Sequence, residues 1–154
     1  MVTTSSHLLL SILTADCAPI LLADPVKNIV AACHAGWRGA LSGIIDNTIQ
    51  KMCQVGASTS NIIAAIGPMI APEDYEVDQG FYDQFLEENT TNKKFFSAGR
   101  TGHKKHFDLR QYIVYKMHNI NIFNIEHCSA EKLDLFSHRR HNATGRQISV
   151  IKTP

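Results

Sequence analysis

Two residues with metal-binding side chains come at the ends of predicted strands in the first part of the chain. Cys17 ends one such strand, and His34 ends another. A thiolate and an imidazole at the same edge of a sheet can form part of a transition-metal site. The glycines after His34 allow a sharp turn into a helix whose free N–H groups would point back at the same place. This stretch therefore indicates the active site of an enzyme, intact or damaged.

The elements that position these residues form an irregular mixture of strands and helices. Apolar runs and turn residues predict strands over 7–13, 18–23, 28–33, 61–66 and 147–151, the first buried on both faces, and an extended segment over 122–128. Apolar residues at three- and four-residue steps predict helices over 39–55, 79–89 and 109–119. The polar, basic stretch 92–106 is predicted to be a mobile surface loop. Short links between the first strands favour antiparallel pairing, so the predicted class is α+β with a mixed sheet.

Length and composition fit a single globular domain over residues 1–154. The chain is 44% hydrophobic and 19% charged, and its formal net charge of +1 gives no indication of a nucleic-acid partner. No segment is apolar over the length that a membrane span requires. The cysteines form no CxxC pair, and the N-terminal residues lack the basic n-region that is typical of a signal peptide. We therefore expect free thiols in a reducing compartment and a cytoplasmic protein.

The remaining cysteines and the single tryptophan are expected to have structural roles. Cys33 faces away from His34 if the strand alternates, and Cys53 lies near a helix end. Cys128 is expected to be a packed thiol rather than a nucleophile. Trp37 is expected to pack in the core rather than to stack on a base.

Several blocks, in order, give the chain a resemblance to a known family. They read TADCAPILLADP, CHAGWRGALSGI, IGPMIAPEDYEV, FDL and LFSHRRHNATGRQ. They resemble the multicopper-oxidase-like or purine nucleoside phosphorylase family, whose bacterial members were called polyphenol oxidases or laccase-like proteins. The resemblance implies a layered α/β/β/α fold with mixed sheets. It also implies zinc-dependent phosphorolysis of adenosine, inosine, guanosine and methylthioadenosine, with adenosine deamination as a second activity.

The same resemblance assigns zinc ligands to Cys17 and His34. The family's further histidine lies ahead of the matching part and has no counterpart here, so the chain is expected to be N-terminally truncated. An alternative is an inactive remnant that pairs with a separately encoded N-terminal piece. A copper-dependent phenol oxidase is the weaker alternative, because a blue-copper centre needs two histidines. Loss of neighbouring strands would leave an apolar edge beside residues 8–13, which predicts a homo-oligomer or a poorly soluble chain.

Phosphorolysis implies substrates of two kinds, a purine nucleoside and phosphate. Guanidinium groups match phosphate oxygens in pairs, so Arg38, beside the helix start, is a candidate phosphate contact. Further candidates are Arg139, Arg140 and Arg146, although Arg139 and Arg140 also fit a solvated basic turn, and Arg38 also fits a brace for its turn. Asp16 is a candidate general base or ligand-orienting carboxylate, or a residue that only bonds to the backbone of its loop.

Overall fold

The computed structural model describes residues 1–124 and 128–154. Its strands, in chain order, are β1 (Val2–Thr3), β2 (Leu9–Thr14), β3 (Ala18–Asp24), β4 (Ile29–Ala35), β5 (Ile63–Ile66), β6 (Glu76–Asp78), β7 (Phe96–Ala98), β8 (Lys104–Phe107), β9 (Asn121–Asn124) and β10 (Gln147–Lys152). Its α-helices are α1 (Trp37–Leu41), α2 (Ile44–Gln54), α3 (Gln79–Glu88) and α4 (Leu109–Lys116), and short 3-10 helices cover Pro72–Asp74 and Thr90–Phe95.

A five-stranded sheet forms the centre of the molecule, in the order β1-β4-β3-β5-β9. Its pairs are antiparallel except for β5 with β9, which run parallel. The central strands β3 and β4 are buried along most of their length because both of their faces are covered. Side chains from α2 and α4 pack on one face, and β2 with β10 packs on the other.

The β3–β4 turn is held by a buried carboxylate. Asp24 ends β3 and is fully buried, and its two oxygens accept hydrogen bonds from the backbone N–H groups of Val26 and Lys27 (2.9 and 3.0 Å) and of Ser58 (2.9 Å). Burial raises the pKa of a carboxyl, but these three bonds favour the charged form and hold the pKa of Asp24 below its usual value. One side chain thus fixes the turn and ties the start of the 58–62 segment to it.

β2 and β10 form a separate antiparallel two-stranded sheet over the central one. Leu10 and Ile12 point inward and pack on Val30 and Ala32 of β4. The alternate side chains point outward, so the outer face of this sheet carries exposed apolar groups. They are Leu9, Leu13, Ile148 and Val150, with exposed fractions between 45% and 62%.

A third, three-stranded sheet, β6-β8-β7, borders a cluster of aromatic side chains. Phe85 of α3 lies 4.7 Å from Phe107 of β8 and 5.2 Å from Tyr112 of α4, measured between ring centroids. All three are fully buried. At the other end of the cluster, Phe81 lies 4.5 Å from Trp37. The aromatic cluster therefore connects the third sheet with the helix that begins after His34.

The α+β class and the mixed sheets are confirmed, and so is the antiparallel pairing of β3 with β4; β2, however, pairs with β10 and not with β3. Three further details of the prediction are wrong. The predicted helix over 39–55 is two helices, because Gly43 between them adopts a left-handed conformation (φ 82°). The predicted loop over 92–106 contains a 3-10 helix and the hairpin β7–β8, whose short, polar strands lack an apolar pattern. The strand over 7–13 is buried on one face only.

The extended segment predicted over 122–128 lies partly outside the described residues, and its first part is β9. Within the described part of the chain, none of the helices has both the length and the apolar character that crossing a bilayer requires.

Candidate active site

Cys17 lies in the turn between β2 and β3, with its sulfur against the backbone of Gly36. A Cβ atom at Gly36 would stand only 2.9 Å from Cys17 Sγ, so a side chain there would displace the sulfur. Burial raises the pKa of the Cys17 thiol, the neighbouring Asp16 carboxylate raises it further, and the positive charge of Arg146 opposes both. The surroundings of Cys17 therefore favour the thiol, and a bound cation would favour the thiolate.

His34 is brought to Cys17 by the register of the sheet. β3 pairs with β4 so that Pro19 stands opposite His34, two residues along from Cys17. His34 shares a face of β4 with Val30 and Ala32, the face under β2 and β10, but it is exposed beyond the core. Cys33, on the opposite face, is buried, as the alternation predicts.

The ring of His34 has the properties of a neutral ligand. Partial desolvation and the positive charge of Arg146 both lower its pKa. A neutral imidazole keeps a free lone pair for a metal ion. Arg146 therefore acts on both candidate ligands, although its own Nη1 donates to the carbonyls of Thr144 and Gly145 (2.9 and 2.8 Å).

The donor set is too small for zinc on its own. Protein zinc sites use three or four protein ligands, commonly cysteine and histidine. Over residues 1–124 and 128–154, no group of three or more His, Cys, Asp and Glu side chains is placed to hold a metal ion. Cys17 and His34 are suitable in type, but they do not complete such a site.

Asp16 occupies a strained position next to Cys17 and uses both of its carboxylate oxygens. Its φ of 81° is in the left-handed region, which residues other than glycine rarely adopt. Oδ1 accepts a hydrogen bond from Ser129 Oγ, and Oδ2 accepts one from the backbone N–H of Arg139, both at 2.6 Å. The backbone carbonyl of Asp16 accepts a further bond from Ile70 N–H at 3.0 Å. Asp16 therefore joins three segments of chain at the candidate site.

A cavity of about 330 Å³ opens beside Asp16 and Cys17. Its lining combines charged, polar and apolar side chains: Ala15, Asp16, Cys17, Trp37, Arg38, Ile70, Tyr75, Leu109, His138 and Arg139. The helix start after Gly36 supplies Trp37 and Arg38, and the segment before β10 supplies His138 and Arg139. This mixture is typical of a site for a small polar ligand with an aromatic part.

Two arginines of the cavity each lie over an aromatic ring. The guanidinium carbon of Arg38 is 4.4 Å from the ring centroid of Trp37, and that of Arg139 is 5.4 Å from that of Tyr75. Arg139 Nη1 also donates to the carbonyl of Glu76 at 3.0 Å. Burial is the main reason why the pKa of Tyr75 lies far above its usual value, so its hydroxyl stays protonated. The cavity thus combines two fixed cations with flat apolar surfaces.

The predicted site residues fall into three groups. Asp16, Cys17, Arg38 and Arg139 border one cavity, and His34 and Arg146 lie at its Cys17 end. Arg140 is not brought to the cavity. Its guanidinium instead donates to the carbonyls of four residues in its own segment, Ser129, Ala130, Lys132 and Leu135. This geometry favours a structural role for Arg140.

Sequence reasoning missed Tyr75, His138 and Ser129. Tyr75 follows a short 3-10 helix and lies about 60 residues from Cys17 along the chain, so its place in the block IGPMIAPEDYEV of the family resemblance was the available signal. His138 directly precedes Arg139 and Arg140 in the segment LFSHRRHNATGRQ, and this position beside predicted site residues could have indicated that it lines the cavity. Trp37 packs against Phe81 as predicted, but it also lines the cavity.

Comparison with known proteins relates the chain to named enzymes. It is 37% identical over 130 residues to a purine nucleoside phosphorylase of Rickettsia prowazekii, an alignment that covers 84% of this chain and 53% of the relative. It is 36% identical over 157 residues to a purine nucleoside phosphorylase of Corynebacterium glutamicum, covering all of this chain and 62% of the relative. The chain therefore spans between half and two thirds of the length of these relatives.

Solved structures match the fold closely. A protein from Neisseria meningitidis superposes with a TM-score of 0.90 at 31% identity, covering 99% of this chain and 63% of that one. A hypothetical protein from Bacillus licheniformis gives a TM-score of 0.89 at 28% identity, covering 99% and 60%. The sequence pattern of the family described as multi-copper polyphenol oxidoreductase laccase matches residues 1–154. The chain therefore belongs to the multi-copper polyphenol oxidoreductase laccase family.

Proposed function

We propose that this chain acts in the phosphorolysis of purine nucleosides, as a zinc-dependent purine nucleoside phosphorylase. The observation that supports the proposal most strongly is the pair Arg38 and Arg139 at one cavity beside Cys17. Among the described residues, neither guanidinium is within salt-bridge distance of a carboxylate. Two cations without an acidic partner in a cavity of this size suit a dianionic group such as phosphate. The relatives named purine nucleoside phosphorylase agree with this chemistry.

In phosphorolysis, a phosphate oxygen forms a bond to C1′ of the ribose while the bond from C1′ to the base nitrogen breaks. The bonding electrons leave with the base, which takes up a proton, and positive charge develops on the ribose in the transition state. Arg38 and Arg139 would hold the phosphate, whose negative charge then stabilises the ribose. Trp37 and Tyr75 provide aromatic surface for the purine, and the protonated Tyr75 hydroxyl can donate a hydrogen bond to it.

Asp16 is assigned a supporting part in this proposal. Both of its carboxylate oxygens accept short hydrogen bonds, so its main part is to hold Ser129 and the backbone of Arg139 in place. Arg140 is likewise left out of the substrate contacts, because its donors are taken up by backbone carbonyls.

Zinc enters the proposal through Cys17 and His34, which are both zinc-ligand types. Since no third donor is found among the described residues, the proposal includes a further ligand from outside them. The direct measurement is the metal content of the purified chain and of its Cys17→Ala variant. About one zinc per chain, lost in the variant, supports this part, and equal zinc in both proteins contradicts the assignment of Cys17.

The activity is tested by incubating the zinc-supplemented chain with inosine and inorganic phosphate. The expected products are hypoxanthine and ribose 1-phosphate in equal amounts, and both must disappear when phosphate is omitted. Adenosine as a parallel substrate separates phosphorolysis, which gives adenine, from deamination, which gives inosine. No product above the buffer level overturns the phosphorylase proposal, and oxidation of a phenol by the copper-loaded chain would favour the oxidase instead.

A further inference from the structure

Ser129 lies behind the candidate active site, where it contacts Asp16 without lining the cavity. Its side chain is fully buried, and its hydroxyl donates to Asp16 Oδ1 at 2.6 Å. Its backbone is fixed as well, because its N–H donates to the carbonyl of Met69 at 3.0 Å. A buried hydroxyl on a fixed backbone can hold its acceptor in one orientation, because breaking the bond would leave a buried polar group unpaired.

The Asp16 carboxylate, which accepts the hydrogen bond of Ser129, also holds the backbone of Arg139. With Oδ1 of Asp16 directed at the serine, Oδ2 is directed at the backbone N–H of Arg139, at 2.6 Å. The backbone of Asp16 is in the left-handed region, so its own conformation does not favour this arrangement. The contacts from outside, including Ser129, therefore keep the carboxylate where it is.

The segment that carries Arg139 has little regular structure to hold it. Residues 129–146 contain no helix or strand among the described elements. Arg140 closes the first half of the segment by donating to four of its carbonyls, and Ser137 Oγ accepts the backbone N–H of Arg140 at 3.1 Å. The Asp16 carboxylate attaches this segment to the turn that carries Cys17.

We infer that Ser129 is a positioning residue: by holding the Asp16 carboxylate on the backbone N–H of Arg139, it sets where the Arg139 guanidinium stands in the cavity. The inference rests on the proposed function for its consequence, which is the binding of phosphate. Ser129 does not line the cavity, so its effect on phosphate binding is through the position of the Arg139 cation. Loss of the serine hydroxyl leaves the aromatic surfaces of Trp37 and Tyr75 in place.

The experiment compares Ser129→Ala with Ser137→Ala. Both serines are fully buried, both belong to the same segment, and both variants lose one hydroxyl. Only Ser129 contacts Asp16, whereas Ser137 contacts the backbone of Arg140. A merely structural contribution would therefore affect the two variants alike, and a positioning role would separate them.

The kinetic experiment measures the KM for phosphate and the KM for inosine in each variant and compares the two changes. Ser129→Ala is expected to raise the KM for phosphate on the order of tenfold, in line with the loss of one buried charge-assisted hydrogen bond. The KM for inosine should stay within about twofold, and Ser137→Ala should change both by less than about threefold. Equal increases of the KM for phosphate in the two variants would overturn the inference.

A second readout does not require activity. Amide hydrogen exchange at Arg139 reports the bond from its N–H to Asp16, and it should become faster in Ser129→Ala but not in Ser137→Ala. If the wild-type chain lacks phosphorolysis, the proposed function fails while this measurement still decides the positioning role. If Ser129→Ala does not fold, Ser129→Cys, with a weak donor of similar size, takes its place and should give the same pattern in exchange. Unchanged exchange at Arg139 in a folded variant would refute the link.

Discussion

The segment beside the candidate active site and the outer face of the β2–β10 sheet are built in opposite ways. Residues 129–146 are irregular backbone held by polar contacts, above all those of Asp16 and Arg140. The sheet face is regular backbone that exposes large apolar side chains, among them Leu13 and Ile148, which stand opposite each other. The polar contacts of the first region are made within the chain, whereas the apolar groups of the second have no cover among the described residues.

This difference separates a region that is stabilised by contacts within the chain, residues 129–146, from a surface that could bind a partner, the outer face of the β2–β10 sheet. Each buried polar group of the segment must keep its bond, because an unpaired one costs about 1–3 kcal/mol. An exposed apolar face has no such requirement, but its burial against another surface is favourable. The following predictions test the two halves of the comparison.

Replacement of Arg139 should have the largest effect on activity. Arg139→Met is expected to lower kcat/KM for phosphorolysis by about 100-fold, because a charged contact to phosphate is lost. Steady-state kinetics at several phosphate concentrations measures this. Arg100→Met, at an exposed position between β7 and β8, serves as the control and should leave the rate unchanged. Equal rates for Arg139→Met and wild type would remove Arg139 from the site.

Arg140 should contribute to the free energy of unfolding instead. Arg140→Met removes the donors of four backbone carbonyls and is expected to lower the free energy of unfolding by about 2–3 kcal/mol. Urea unfolding followed by circular dichroism gives the value. Arg139→Met, with a single carbonyl partner, should lose less than about 1 kcal/mol in the same assay. A larger loss for Arg139→Met than for Arg140→Met would reverse these assignments.

Asp24 extends the comparison to a polar group inside the regular part of the fold. Since its folded-state pKa is lowered, it contributes stability above its unfolded pKa of about 4, and this contribution is lost as the pH falls toward the folded pKa. The stability of wild type should therefore fall as the pH drops below about 4, and Asp24→Asn should show a smaller fall over the same range. Urea midpoints at a series of pH values measure both. Identical pH dependence in the two proteins would contradict the role of Asp24.

The outer face should affect association while leaving folding almost unchanged. Wild type is expected to self-associate, and the double variant Leu13→Gln with Ile148→Gln should shift it toward monomer, with a stability change within about 0.5 kcal/mol. Light scattering at several concentrations measures the mass. Ser11→Gln adds an amide to the same face without removing apolar surface, so it should behave like wild type. A wild-type chain that stays monomeric would show that this face needs no cover.

The sequence predicted the regular half of the molecule better than the irregular half. Alternation and turn residues located β3 and β4, and thus the neighbourhood of Cys17 and His34, because these features act over a few residues. They could not distinguish Arg139 from Arg140. Neighbouring residues in an irregular segment have no period, and their roles depend on distant partners such as Asp16 and Glu76. The same limit hid Ser129, whose contact with Asp16 spans 113 residues.

The exposed side of β2 was misjudged for a related reason. Its run of Leu and Ile fits a strand buried on both faces, but the described residues place a packed layer against only one face of it. The break between α1 and α2 was similarly hidden, since Gly43 interrupts a helix without interrupting its apolar pattern. The sequence omits the packing partner of β2 in the first case and the backbone conformation of Gly43 in the second.

The position of Trp37 gives the protein a built-in optical reporter. It is the single tryptophan of the chain, so the indole emission comes entirely from the cavity, where the ring is in contact with the Arg38 guanidinium and with Phe81. A purine that stacks there would quench this emission, and an anion that draws Arg38 from the ring would change its intensity. Fluorescence titration can therefore follow ligands at this cavity without labels and without turnover.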